Sequence, residues 1–149
     1  MNTQNTVHIT QQQKANSQKL KREKVRTIHQ QQVYRAAQNL FYVLAQMRKT
    51  CPVKFRAVLE PSYAECTSLL ASLSLAYMEP NVRIAQLTIA AAHIDTLKTI
   101  LGILRSLGCI SKDDYKKARS LVQSCAQQVM AWRASTMISF EQGNAEQNK

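Results

Sequence analysis

Residues 82–108, VRIAQLTIAAAHIDTLKTILGILRSLG, return an apolar side chain every three or four positions at Leu87, Ala90, Ile94, Leu97, Leu101 and Leu104. At 3.6 residues per turn this spacing draws one continuous stripe along an α-helix, and no proline interrupts it. Such a helix must be covered along its whole length, so the fold has to be built from long helices packed side by side. A second set, Ile89, Ile100, Ile103 and Leu107, widens the apolar face beyond what a single four-helix core requires. These four are candidates for contact with another subunit, or else widen the stripe that faces the bundle's own core. The long charges expected opposite the stripe are few and positive, Lys98 and Arg105, one heptad apart.

The same periodicity recurs in three other segments. Val33, Ala37, Leu40, Leu44 and Met47 predict a first helix that ends near Lys49, ahead of Pro52. Tyr63, Cys66, Leu70, Leu73 and Tyr77 predict a second that ends before Pro80, with a kink or a broken first turn at Pro61. Gly108 is placed to stop the third helix. Ser111, three residues before Asp114, suits an N-cap for a fourth, which runs through Tyr115, Ala118, Val122, Cys125, Val129 and Trp132. With three Gly and three Pro in 149 residues, little in the chain favours strands. The expected fold is all-α, an up-down-up-down four-helix bundle over residues 30–138. A basic, Gln-rich arm over residues 1–29 precedes it and a polar tail over residues 139–149 follows. The arm's composition predicts disorder in isolation, with ordering on contact with RNA or a protein partner.

Catalytic and metal chemistry find little support. The histidines His8, His29 and His93 are scattered, and His93 stands two residues from Asp95, a spacing that does not share a helix face. Cys51, Cys66, Cys109 and Cys125 never approach a CxxC spacing and read as reduced, mostly buried thiols. Glycine is too scarce for a phosphate-binding loop. The sequence therefore predicts a protein that is not an enzyme and holds neither metal nor cofactor. No early run has signal-peptide character, and the apolar stretches are interrupted short of about 18 residues, so a cytoplasmic location in a bacterial or phage-infected cell is expected, without a membrane partner.

Charge is the positive clue. Twenty Lys and Arg against nine Asp and Glu give a net charge of +11. Residues 31–138 alone hold thirteen basic against six acidic residues, so the predicted bundle is basic without its arm. Arg83, Lys98 and Arg105 on the third helix, with Lys112, Lys116, Lys117, Arg119 and Arg133 on the fourth, are candidates for one nucleic-acid-binding flank. Lys and Arg on a helix face hold phosphates without reading sequence, because each contact releases a condensed counterion. Aromatic residues do not interleave with these positions in sequence, so base stacking is not predicted.

Residues 77–135, YMEPNVRIAQLTIAAAHIDTLKTILGILRSLGCISKDDYKKARSLVQSCAQQVMAWRAS, resemble a family of small four-helix-bundle proteins. The family includes the accessory variability determinant (Avd) of diversity-generating retroelements and the proteins encoded in intervening sequences of large-subunit ribosomal RNA. The resemblance spans roughly residues 30–136. It is carried by the Leu-x-x-Leu third helix, its LKTILGILRSLGCIS ending, the YKKA that follows and a tryptophan late in the fourth helix. It implies that Lys98 and Arg105 occupy positions commonly basic in the family and that Trp132 is the closing tryptophan. It also implies a homopentameric barrel that associates with the retroelement's reverse transcriptase and binds nucleic acid, template RNA or its cDNA, in support of mutagenic retrohoming. The match is incomplete around Trp132, where Met130 and Ala131 stand in place of a common glycine pair, and Arg133 precedes Ala134 where the family places its basic residue one position later. The alternatives are a protein of the ribosomal-RNA intervening-sequence type, or a scaffold for an acidic protein partner with incidental RNA affinity. A helical DNA-binding regulator is weaker, because all four helices are long and no tight turn marks a recognition helix.

Overall fold

The computed structural model describes Ser17 and residues 31–147, with side chains placed as far as Glu141. The expectations for the arm therefore fall outside the described residues. Within these residues the protein is all-α, with four helices and no strand: α1 (Gln32–Thr50), α2 (Arg56–Met78), α3 (Arg83–Ser106) and α4 (Lys112–Gln147). Short 3-10 turns, Val53–Phe55 and Pro80–Val82, lead into α2 and α3. Each helix packs on its neighbour in the chain, and α4 closes the set against α1.

The core stripe of α3 is the one that the spacing predicts: Leu87, Ala90, Ile94, Leu97, Leu101 and Leu104 are all buried. Leu40, Leu44 and Met47 of α1 and Val122, Cys125 and Val129 of α4 are also buried in the core. The stripe on α2 is rotated from expectation. Leu59, Ser62, Cys66, Leu69, Leu73 and Ala76 are buried, whereas Tyr63, Leu70 and Tyr77 are only half-buried. Ser62 is tolerated there because its hydroxyl donates to the Leu59 carbonyl at 2.6 Å, leaving no unsatisfied polar group. Tyr63, at the edge of the core, donates its hydroxyl to the Leu44 carbonyl at 2.7 Å and meets Phe41 edge-on with ring centroids 5.6 Å apart. The proline expectation also shifts. The break lies at the 3-10 turn before Arg56, and α2 runs on through Pro61.

Two termini follow directly from local chemistry. At the end of α3, Gly108 takes φ +68°. Its N–H donates to Arg105 O at 3.1 Å, and the Cys109 N–H donates to Leu104 O at 2.9 Å, which satisfies two of the last carbonyls. At the start of α4, the Asp114 N–H donates to Ser111 Oγ at 3.0 Å, and the Ser111 hydroxyl donates to Asp114 Oδ2 at 2.8 Å. The fourth helix continues past residue 138 to Gln147, for a total of 36 residues. At 1.5 Å per residue it is about 54 Å long, roughly twice the length of α1.

Pro80–Ser106 is long and apolar enough by composition to cross a membrane, with a mean hydropathy of 1.4. Its apolar content is higher than the sequence expectation allows, but the Leu87–Leu104 stripe is spent on the other helices, as in any bundle core. Leu97→Ala should cost about 3 kcal/mol through the cavity it leaves. Gly108→Ala should cost about 1 kcal/mol through backbone strain alone, since no heavy atom lies within 4 Å of the added Cβ. Chemical denaturation followed by helical circular dichroism reads both.

Candidate nucleic-acid interface

Successive residues of a helix are about 100° apart, so their positions around α3 follow from the sequence once the core direction is known. Lys98 and Arg105 do not lie opposite the buried stripe. Lys98 is about 60° from Leu101, so both cations flank the core on the side that faces α4. The face away from the core instead carries Thr88, Ala92, Thr99 and Ser106, all exposed. The hydroxyls of Thr88, Thr96, Thr99 and Ser106 donate to the carbonyls four residues back, at 2.9 to 3.1 Å. These groups are satisfied within the helix and turn largely apolar surface outward.

The second apolar set divides. Ile89, Ile103 and Leu107 are 43%, 50% and 51% exposed, whereas Ile100 is half-buried and packs against the core. Ile89 lies about 180° around α3 from Lys98. The uncharged character extends over α2, where residues 66–78 contain no charged side chain and Ala64, Ala71 and Leu75 are exposed. Between the two helices His93 Nδ1 meets Glu65 Oε2 at 2.7 Å. One flank of α3 is thus mostly apolar, with the half-buried His93–Glu65 pair within it, and the other is basic.

On the basic flank, α3 and α4 enclose a groove of about 260 Å³ lined by Lys98, Leu101, Tyr115, Arg119, Val122 and Gln123. Lys98 Nζ is held by Asp95 Oδ1 at 2.8 Å. Arg119 donates from a terminal nitrogen to the Tyr115 hydroxyl at 3.2 Å, and its guanidinium carbon lies 5.9 Å from the Tyr115 ring centroid. Lys112 and Lys116 share the Arg119 side of α4, since they precede it by seven and three residues, and Arg133 recurs on nearly the same side about four turns on. Arg105, Lys112, Lys116, Arg119 and Arg133 are all exposed.

Two of the predicted contacts sit elsewhere. Lys117 lies about 160° around α4 from Arg119 and faces away from the groove. Arg83 is half-buried, and its Nε donates to the Ala76 carbonyl at 2.9 Å in the last turns of α2. Its guanidinium carbon stands 5.9 Å from the Trp132 ring centroid. There a cation meets the negative end of a helix and ties α2, α3 and α4 together, which gives Arg83 a structural role.

Three groups escape the sequence pattern. Periodicity puts Tyr115 on the core stripe of α4, yet it is half-buried at the groove wall. Its i,i+4 spacing to Arg119 is the available signal. Gln123, an exposed amide among others, gives no signal. A second basic hollow of about 380 Å³ is lined by Ala45, Arg48, Lys49, Arg56 and Tyr63, with Arg48 paired to Glu60 at 3.0 Å. Arg48 and Lys49 close the last turn of α1, where cations complement the helix dipole. Among the described residues no group of three or more His, Cys, Asp or Glu could hold a metal ion.

No protein-family model matches the chain, and no curated protein matches it in sequence. Arg83→Met should lower stability by about 1–2 kcal/mol, since a buried carbonyl loses a charged donor. The measurement is a denaturant midpoint, with Lys117→Met as a near-neutral comparison.

Proposed function

We propose that this chain is a non-enzymatic accessory protein of a diversity-generating retroelement, binding nucleic acid and the reverse transcriptase through the basic flank of α3 and α4. The observation that carries the reading is the division of α3 into opposite flanks. A cationic groove holds Lys98 and Arg119, and a mostly apolar face holds Ile89, Ile103 and Leu107. A protein that assembles and binds a polyanion at the same time needs those two surfaces apart. The similarity of residues 30–136 to the Avd and intervening-sequence bundles supplies the biological setting.

The proposal includes up-down-up-down topology. Connections of a few residues favour antiparallel neighbours. Leu44 meets Tyr63 while Ala37 meets Cys66, so α1 runs backward as α2 runs forward. Glu65 meets His93 while Ala76 meets Arg83, the same reversal between α2 and α3. Self-association through Ile89, Ile103 and Leu107 into a closed ring, a pentamer on the family resemblance, completes the reading. Copies in a ring would repeat the basic groove around its circumference, so weak phosphate contacts add through effective concentration.

Light scattering should give a mass near five times the 16.9 kDa of one chain, rising on addition of a structured RNA. Ile103→Glu should reduce the mass toward one chain with helicity retained. A monomer indifferent to RNA would remove the ring and turn the search to an acidic protein partner. Lys98→Glu combined with Arg105→Glu should weaken nucleic-acid binding and lower the salt dependence by about 0.9 in log–log slope for each phosphate no longer neutralised. Unchanged affinity and slope would exclude these side chains as phosphate ligands.

A further inference from the structure

We propose that the groove between α3 and α4 seats one unpaired nucleotide, with its phosphate between Lys98 and Arg119 and its base over the Tyr115, Leu101 and Val122 surface. The protein then takes single-stranded nucleic acid in preference to duplex. The inference rests on the nucleic-acid reading above and specifies the form of the ligand.

Charge alone would place phosphates anywhere along the basic flank. The groove differs in having a floor. Leu101 and Val122 line its bottom and the half-buried Tyr115 ring lines its side, so apolar groups lie between two cationic walls. A free phosphate has no use for such a floor, whereas a nucleobase does, because its faces are apolar and its edges polar. At about 260 Å³ the space suits one nucleotide unit with its neighbours outside. Paired bases are stacked and cannot reach the floor, so only an unpaired nucleotide satisfies walls and floor together.

The side chains are already arranged for this. Arg119 uses one of its five N–H donors on the Tyr115 hydroxyl and keeps the others for a phosphate. That contact also restrains the guanidinium, which lessens the ordering needed on binding. Lys98 has one donor on Asp95 and two remaining. The Asp95 carboxylate is 74% exposed, so solvent screens its hold on the ammonium and a phosphate can displace it. Tyr115 contributes an aromatic edge. The Gln123 carboxamide, exposed at the groove's mouth, offers both a donor and an acceptor to a base edge. In sequence Tyr115 stands 17 residues from Lys98, and the fold brings an aromatic ring among the basic residues.

The test is fluorescence anisotropy of the full chain at fixed moderate salt, with a labelled single strand of about twelve nucleotides and the same strand annealed to its complement. Gln123→Glu places a carboxylate at the groove. Gln127→Glu adds the same charge one turn further along α4, outside it. Wild-type protein should bind the single strand at least about fivefold tighter than the duplex. Gln123→Glu should lower single-strand affinity about tenfold and Gln127→Glu less than about twofold, while the duplex responds equally to both. Equal loss from the two variants, or a duplex bound as tightly as the single strand, would overturn the groove and leave the basic-flank reading standing. No binding of either form would remove both.

Discussion

Burial of the α3 stripe is the constraint on which the other features depend. Leu87, Ala90, Ile94, Leu97, Leu101 and Leu104 must be covered along about 26 Å of helix, at about 1.5 Å per residue. The residues available to cover them come from all three other helices. Once that direction is fixed, every other side chain of α3 has its place around the axis. Lys98 and Arg105 fall toward α4, Ile89 and Ile103 fall away from it, and Arg83 falls inward at the end of the bundle where it meets Ala76 and Trp132.

This separation has a physical basis in charge. A mostly apolar face whose one carboxylate, Glu65, is already partnered by His93 can approach another copy at little desolvation cost, whereas a cationic face on a chain of net charge +11 repels its own kind. With both properties on one helix but on opposite flanks, association through one surface does not cover the other. The hydroxyls folded back onto carbonyls at Thr88, Thr96, Thr99 and Ser106 extend the uncharged surface without leaving unsatisfied polar groups.

Much of the architecture is legible in the sequence because it rests on local rules. The three-four spacing in α3, the serine at position 111 and the glycine at position 108 each specify their structure within a few residues. The α2 stripe misleads for a physical reason: Ser62 looks polar in sequence but hides its hydroxyl on Leu59, while Tyr63 looks apolar but needs a polar partner at the core's edge. Facing direction is harder to read than composition. Lys98 stands out in the sequence as a long cation among apolar residues, which suggests a place opposite the core, but the 3.6-residue period sets it only about 60° from Leu101, on a groove wall. The groove itself pairs Lys98 with Tyr115, Arg119 and Gln123 across two helices, and no one-dimensional pattern carries that juxtaposition.

All four thiols are buried and free, and burial pushes those of Cys66 and Cys125 up to about 12. The native fold therefore acts as the protecting group for its own sulfur, keeping the Cys66 and Cys125 thiols neutral and all four out of reach of oxidants or of another chain. Unfolding removes that protection from all four at once. Disulfides formed among unfolded chains would then trap them, so reversibility of folding becomes a property of the redox conditions as much as of the helices.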